Sequence, residues 1–158
     1  MGFGMKAWVA LATLGSAGLL AGAFAFQYIG GLAPCHLCLL QRWPHAAAIG
    51  IGLVALLLAK GPLARLLAVC GAIAAATTGG YGVYHTGVER GWFAGPDTCT
   101  GGSVAGMSTD DLLNQILAAP MVKCDEVAWQ MLGLSMASWN ALASFALIVV
   151  WLMALWRD

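Results

Sequence analysis

Four long apolar stretches, separated by polar segments, set the pattern along the chain. They cover these approximate ranges: 7–28, 39–59, 63–84 and 138–156. Each is close to the roughly 20 residues that a helix needs to cross a bilayer, and spanning segments must satisfy their own backbone hydrogen bonds, which favours helices. The pattern predicts an all-α membrane protein, a four-transmembrane-helix bundle with external loops at 29–38 and 85–137.

The longer external loop is too long to be a simple turn and is a candidate functional segment. Its first part is rich in glycine, but Ser108–Asp111 fits a capping box that opens a short helix, and Pro120 would end that helix. One face of the helix would be apolar and carry Leu112, Leu113, Ile116 and Leu117. We therefore expect a short amphipathic helix that lies on the membrane surface or packs against the bundle.

Composition also indicates a membrane protein. Of the 158 residues, 61% are hydrophobic and 9% are charged, whereas about one-quarter of the residues in soluble domains are charged. Seven basic and seven acidic residues give no net charge, so the chain has no basic surface for nucleic acid. The length suits one integral membrane domain that covers residues 1–158 and is surrounded by membrane lipid.

The distribution of charge predicts the orientation in the membrane. Basic residues dominate at the termini and in the hairpin between the second and third spans, where they are Lys6, Lys60, Arg65 and Arg157. The positive-inside rule then places both termini in the cytoplasm and both cysteine-bearing loops outside. The first span could instead be a cleaved signal peptide, because Ala21–Ala23 resembles a cleavage site. Gly18 and Gly22 in this span favour close packing of helix backbones.

Five cysteines are the main candidates for chemistry. Cys35 and Cys38 have the spacing that brings two sulfurs within disulfide reach on one helical turn. Zinc binding is the alternative role for this pair. A structural zinc site needs four protein ligands, so redox chemistry is preferred and no metal is expected. A Cys99–Cys124 disulfide would either staple the long loop or exchange with a thiolate that reaches Cys99 in its glycine-rich setting. Cys70 lies in an apolar run and is interpreted as a small buried hydrophobe.

Two further side chains are candidates for binding a small molecule near this cysteine pair. Arg42 follows Cys38 by one helical turn, so its guanidinium could favour a Cys38 thiolate, or it could extend to lipid headgroups. His85 lies at the same membrane level and could hydrogen-bond a quinone carbonyl, or it could be an interfacial histidine bonded to water or backbone. The weaker candidates are His36 and His45.

Taken together, these residues resemble the disulfide bond formation protein B (DsbB) family. The resemblance covers almost the whole chain and rests on these motifs: Pro34-Cys35-x-Leu37-Cys38 with Arg42, Tyr84-His85-Thr86, Cys99 and Cys124, then Trp129-x-x-Leu132-Gly133-Leu134 and Trp139. Gln41 departs from the family pattern, in which an acid can occur at this position. Pro44 is expected to set the start of the second helix or to kink it.

The resemblance implies a thiol:quinone oxidoreductase of the bacterial inner membrane that generates disulfides. A reduced periplasmic thioredoxin-like oxidase of the DsbA type would attack Cys99, and the released Cys124 would attack Cys35. Cys38 would be left as the thiolate and interact with ubiquinone or menaquinone, which Arg42 and His85 help to hold. The catalytic residues implied by the resemblance are Cys35, Cys38, Cys99 and Cys124, and the residues implied to bind the quinone are Arg42, His85 and Cys38.

Two alternatives stay open at this point. A paralogue would oxidise a specialised exported partner instead of a general oxidase, and trapping a partner on a Cys124 variant separates these two functions. A non-catalytic tetraspan would use its disulfides only as staples, and it would then reduce no quinone.

Overall fold

The computed structural model describes residues 4–58, 60–96, 99, 108–118 and 122–156. Its helices are α1 (Met5–Tyr28), α2 (His36–Leu58), α3 (Pro62–Glu89), α4 (Thr109–Ala118) and α5 (Met136–Leu155). A short strand β1 (Gln130–Met131) pairs antiparallel with β2 (Leu134–Ser135) just before α5. Helices α1, α2, α3 and α5 are long and apolar enough to cross a membrane, which confirms the predicted all-α, four-span architecture.

The long helices form a bundle in which α3 packs against α2 and α5, and α1 also packs against α2 and α5. Small residues bring α3 and α5 together. A Cβ atom at Gly71 would lie 2.6 Å from the ring of Trp151, and one at Gly82 would lie 3.0 Å from the carbonyl oxygen of Ala137. Because lipid supplies no hydrophobic force between helices, such close packing is what associates them.

Helix α2 begins at His36, earlier than the apolar pattern indicates. Cys35 occupies the capping position, where its carbonyl accepts a hydrogen bond from the N–H of Leu39 (3.1 Å) and its Sγ accepts one from the N–H of Cys38 (3.2 Å). Pro44 lies inside the helix and does not set its start. The first turn of α2 therefore holds the cysteine pair in a fixed geometry.

Helix α3 continues to Glu89, beyond the predicted span. A Schellman cap follows Glu89: Gly91 has a φ of +70°, which suits glycine, and the N–H of Trp92 donates to the carbonyl of Gly87 (2.8 Å). The polar side chain of His85 ends the apolar pattern, but that side chain is buried. His85 consequently belongs to the helix and not to the external loop.

The hairpin before α5 returns the chain to the bundle. Leu132 (φ +54°) and Gly133 (φ +75°) both lie in the left-handed region, as a type I′ turn requires. Ser135 then caps α5, because its Oγ accepts a hydrogen bond from the N–H of Ser138 (3.2 Å). Upstream of the hairpin, Cys124 is buried over the ends of α2 and α3.

Helix α4 begins directly after Ser108, in agreement with the predicted helix start. Leu113 and Leu117 are exposed, which favours the interpretation that this helix lies on the membrane surface. Some predicted features fall outside the described residues: Ala59, the glycine-rich stretch 101–107, Pro120, Arg157, and the side chains of Leu112 and Ile116.

Candidate functional site

Two cysteine pairs meet in one buried cluster, where α2 begins and α3 ends. Cys35, Cys99 and Cys124 are buried there together with Val88. Cys99 and Cys124 form a disulfide with their Cα atoms 5.2 Å apart, whereas Cys35 and Cys38 are reduced. The fold thus brings together sulfur atoms from two distant segments of the chain, as thiol–disulfide exchange between the pairs requires.

The two sulfur atoms of the reduced pair are in hydrogen-bond contact. The Sγ atom of Cys35 donates a hydrogen bond to the Sγ atom of Cys38, 2.9 Å away. This hydrogen bond and, secondly, burial raise the pKa of the Cys35 thiol above its ordinary value. Cys35 therefore keeps its proton in the reduced pair.

The surroundings of Cys99 differ from the expectation of an accessible sulfur. Cys99 is 0% exposed, and its N–H donates to the carbonyl of Pro96 (2.7 Å). A protein thiolate must approach a disulfide along the S–S axis, so it reaches Cys99 only when this segment moves away from the cluster.

His85 contacts both cysteine-bearing segments. Its Nε2 atom lies 3.5 Å from the Sγ atom of Cys35, and its ring hydrogen-bonds to the main chain of Cys124. The same Nε2 atom lies 3.8 Å from the carboxylate of Glu89, one turn later on α3. Its Nδ1 atom accepts a hydrogen bond from the side-chain amide of Gln41 (2.9 Å). The structure therefore places His85 in contact with a cysteine, a closer relation than the shared membrane level inferred from the sequence.

A chain of polar side chains continues from Gln41 into the bundle. The Nδ2 atom of Asn140 donates to the Oε1 atom of Gln41 (2.7 Å) and to the Oγ1 atom of Thr78 (3.2 Å). The Oδ1 atom of Asn140 lies 3.0 Å from the Nε2 atom of His45. These side chains come from α2, α3 and α5, so their hydrogen bonds connect three helices. In the interior of the bundle, unpaired polar groups would be costly.

Arg42 is anchored on α1. Its Nη1 donates to the side-chain oxygen of Gln27, its Nη2 donates to the carbonyl of Ala23 (3.3 Å), and the guanidinium lies 4.9 Å from the centre of the Phe24 ring. Its Nε atom has no hydrogen-bond partner among the described residues. Arg42 and Cys38 line one cavity, as their spacing on α2 indicates, but the guanidinium is fixed by α1.

This cavity has a volume of about 350 Å³ and is bordered by α1, α2, the last turns of α3, α5 and the loops before α2 and α5. Small-molecule sites typically measure about 300–1,000 Å³ and are mostly apolar with a few polar groups. The polar and reactive side chains that line it include Cys38, Gln41, Arg42, His45, His85 and Asn140. A quinone ring is flat and has carbonyl acceptors, so the unpartnered N–H of Arg42 and the adjacent Cys38 sulfur fit such a molecule.

Gly18 and Gly22 form part of the α1 wall of this cavity. A Cβ atom at either position would meet nothing within 4 Å, so the prediction that these glycines bring helix backbones together is wrong. The close contact between α1 and α2 is made elsewhere, where a Cβ atom at Gly52 would clash with Thr13. The two glycines of α1 instead leave open space beside Arg42.

The site also contains a set of potential metal ligands. The ligand atoms of Cys35, Cys38 and His85 all lie within 4.8 Å of one another, and two thiolates with one histidine can hold zinc when a fourth position stays open. Metal binding would occupy the two sulfurs that disulfide formation uses. The two kinds of chemistry therefore exclude one another at this pair.

Sequence reasoning missed Asn140 and Thr78 and gave His45 little weight. A signal existed for Asn140, because an amide inside an apolar span is costly unless it is paired or functional. Its partner Gln41 is 99 positions away, so their contact depends on the packing of α2 against α5. His36 is exposed, and Cys70 is a half-buried free cysteine in α3.

Comparisons with known proteins agree on one family. A family model described as "Disulfide bond formation protein DsbB" matches residues 5–154. Disulfide bond formation protein B 2 of Pseudomonas aeruginosa is 33% identical over 147 residues, which are 90% of this chain and 86% of that protein. Disulfide bond formation protein B of Stutzerimonas stutzeri is 31% identical over 156 residues, 93% of this chain and 92% of that protein. Uncharacterized protein RP370 of Rickettsia prowazekii is 27% identical over 132 residues, 82% of this chain and 76% of that protein. No solved structure matches the chain.

Proposed function

Because this chain belongs to the DsbB family of disulfide bond formation membrane proteins, we propose that it oxidises an exported thioredoxin-like dithiol protein and reduces a membrane quinone. In the net reaction, two electrons and two protons leave the partner's two thiols, which become a disulfide, and quinone becomes quinol. One observation carries the proposal. His85 contacts Cys35 and Cys124, one cysteine from each pair, inside a buried cluster beside a quinone-sized cavity.

The first step takes place at the Cys99–Cys124 disulfide. A thiolate of the partner attacks the sulfur of Cys99, an S–S bond forms between the two proteins, and the Cys99–Cys124 bond breaks with Cys124 leaving as a thiolate. Because Cys99 is fully buried, docking of the partner must first displace the segment that carries it. The partner's binding energy therefore opens the site.

The second step passes the oxidising equivalent between the pairs. With Cys35 and Cys38 joined as a disulfide, the Cys124 thiolate attacks Cys35, a Cys35–Cys124 bond forms, and Cys38 leaves as a thiolate. Cys35 and Cys124 belong to one cluster, so the attack needs only a local rearrangement.

The electrons then reach the cavity. A quinone bound there supplies a two-electron, two-proton acceptor, and Arg42 and His85 would help to hold it while Cys38 lies at the wall. The partner's second thiolate attacks the partner sulfur of the mixed disulfide and releases Cys99 as a thiolate, and Cys99 then attacks Cys124 and releases Cys35 as a thiolate. The Cys35 and Cys38 sulfurs would re-form their bond as two electrons pass to the quinone. The unpartnered Nε–H of Arg42 is the donor that suits a quinone oxygen.

The environment of this reaction is part of the proposal. The relatives named above are bacterial proteins, and we place the chain in the inner membrane as one domain, with its termini in the cytoplasm and its cysteines on the periplasmic side. Lys6, Lys60 and Arg65 support this orientation. A periplasmic position also suits a disulfide such as Cys99–Cys124, because that compartment is oxidising.

The proposal is tested with the protein purified in detergent, reduced DsbA-type protein and a soluble short-chain quinone, with quinone absorbance followed over time. We expect catalytic quinone loss in the wild type and in Cys70→Ser, and none in Cys38→Ser or Cys99→Ser. Cys70→Ser is the matched control, because it removes a thiol that lies in α3, outside the two pairs. Quinone loss that persists in Cys38→Ser would contradict the relay.

A specialised partner is the second candidate for the exported substrate. In a Cys124→Ser variant, the free Cys99 thiolate can attack the disulfide of an oxidised exported partner, so that a mixed disulfide forms and the partner's second cysteine leaves as a thiolate. No Cys124 thiolate is present to displace the partner, so the variant should trap whichever exported protein reacts there. Capture of a DsbA-type oxidase supports the general function, and exclusive capture of another thiol protein supports the specialised one.

A further inference from the structure

His45, a residue that lines the cavity, has a buried hydrogen-bonding atom without a partner among the described residues. The residue is 3% exposed and lines the cavity on the same face of α2 as Cys38 and Arg42, at helical spacing. Its Nε2 atom faces Asn140, whereas its Nδ1 atom has no partner among the described residues. A buried polar atom of this kind normally has a hydrogen-bond partner.

The hydrogen bonds from Leu37 to His45 determine which ring nitrogen of His45 carries the proton. The Nε2 atom of Gln41 donates to the main-chain carbonyl of Leu37 (3.1 Å), an atom that only accepts, so the Oε1 atom of Gln41 must be the acceptor facing Asn140. Asn140 therefore donates to Gln41 through Nδ2 and presents Oδ1 to His45. Since Oδ1 also only accepts, the Nε2 atom of His45 must carry the proton.

The neighbouring contacts are consistent with this assignment. The hydroxyl of Thr78 donates to the main-chain carbonyl of Gln41 (3.0 Å), so its oxygen is free to accept the second N–H of Asn140. In the neutral imidazole, a proton on Nε2 leaves a lone pair on Nδ1. Of the two cavity-lining residues His45 and Arg42, the first therefore has a buried acceptor without a partner, Nδ1, and the second has a buried donor without a partner, Nε.

We propose that the Nδ1 atom of His45 accepts a hydrogen bond from a hydroxyl group of the reduced, hydroxyaromatic form of the quinone, so that the cavity binds quinol in preference to quinone. A quinone oxygen is an acceptor and gains nothing from a second acceptor, whereas a quinol O–H gains a partner. Preferential binding of the reduced form makes the bound quinone a stronger oxidant. Asn140 acts through His45 as a positioning residue. This inference rests on the proposed function, because it assumes that the cavity takes a quinone.

The test compares the Kd values of a short-chain quinone and its quinol for the wild type, His45→Phe and the exposed control His36→Phe. One neutral hydrogen bond corresponds to roughly a three- to tenfold change in Kd. We expect His45→Phe to weaken quinol binding by that factor and to leave quinone binding nearly unchanged, whereas His36→Phe changes neither. Equal weakening of both forms, or weakening of quinone alone, would overturn the inference and leave the proposed function intact.

A second measurement needs no substitution of His45. With ¹⁵N-labelled histidine, the His45 signal of the wild type should show a proton on Nε2 and an unprotonated Nδ1, and the Nδ1 signal should shift on addition of quinol. Asn140→Leu removes the acceptor that fixes this tautomer and should abolish the preference for quinol. A proton on Nδ1 in the wild type would overturn the inference. If neither quinone nor quinol binds the wild type, the proposed function fails together with it.

Discussion

The Nε2 atom of His85 lies 3.5 Å from the Sγ atom of Cys35, although 50 positions separate the two residues in the sequence. The Nδ1 atom of His85 accepts a hydrogen bond from Gln41, so in the neutral ring the proton is on Nε2 and faces the sulfur. In the proposed reaction, an N–H at this position stabilises the Cys35 thiolate that leaves when Cys99 attacks Cys124 and the Cys35–Cys124 bond breaks. His85 is therefore suited to assist exchange between the pairs.

We predict that His85→Phe slows the breaking of the Cys35–Cys124 disulfide by about ten- to hundredfold, because a hydrogen bond to a charged group is worth roughly 1.5–3 kcal/mol. Rapid mixing with reduced partner, followed by acid quenching and alkylation, measures the rate at which the Cys35–Cys124 disulfide forms and then disappears. His36→Phe is the control, because it replaces an exposed histidine at the start of α2. An unchanged rate in His85→Phe would show that the contact has no role in exchange.

The second prediction concerns the anchored guanidinium of Arg42. Lysine lacks the planar fork that donates to both Gln27 and Ala23, and it lacks the buried Nε–H that has no partner among the described residues. Arg42→Lys should raise the KM for quinone by about tenfold, as expected for loss of a charge-assisted hydrogen bond, while the reaction of the partner at Cys99 stays unchanged. Steady-state kinetics with varied quinone measure the effect.

Arg90→Lys is the matched control for this substitution, because Arg90 lies over the ring of Trp92, 5.4 Å from its centre, and does not line the cavity. An equal increase in KM in both variants would point to a general effect of arginine loss on the protein in detergent.

The third prediction follows from the open space at Gly22. A leucine there would fill part of the cavity. The ligand would lose about 1–3 kcal/mol of binding free energy, which is about a fivefold to hundredfold increase in the KM for quinone. The thermal unfolding temperature should hardly change, since no protein atom lies within 4 Å of the new Cβ. Gly50→Leu is the control, because Gly50 is also open but lies outside the cavity wall.

The fourth prediction concerns pH. The hydrogen bond to Cys38 and burial raise the pKa of Cys35 in the folded, reduced protein, whereas an unfolded cysteine has a pKa of about 8.5. The folded state therefore holds this proton more tightly, and the resulting stability is complete below about pH 8.5 and is lost as the pH rises toward the folded pKa. Alkylation of Cys35, mapped by mass spectrometry, should require a higher pH in the native reduced protein than in the same protein dissolved in SDS. Identical pH profiles would contradict the raised pKa.

The four spans could be predicted from the sequence because an apolar stretch of sufficient length has few structures available in a bilayer. The helix ends were less predictable. Hydropathy stops at polar residues such as His85, yet α3 continues because that side chain is buried, and burial by a distant segment leaves no local signal. Hydropathy likewise placed the start of α2 too late. The helix begins at His36, directly after the Cys35 cap, and its polar Gln41 is buried.

The candidate site was predictable in part. Spacing alone indicated that Cys35, Cys38 and Arg42 belong together, since these residues follow one another within two turns of α2. The contact of Asn140 with His45 joins α5 to α2 and depends on the register of the packed helices. Gly18 and Gly22 show that one sequence pattern can have two structural outcomes. Small residues in a span lie either at a tight helix contact or at the wall of a cavity, and only the packing decides which.

Under the proposed function, the burial of Cys99 and Cys124 also limits the loss of electrons to side reactions. A small thiol such as glutathione has too little contact surface to displace the segment that carries Cys99, whereas a docked protein spreads its contacts over many residues. If such thiols reacted, they would deplete the quinone pool without making a useful disulfide. In that function, the buried disulfide shields the oxidising acceptor from small thiols and leaves it open to proteins that dock.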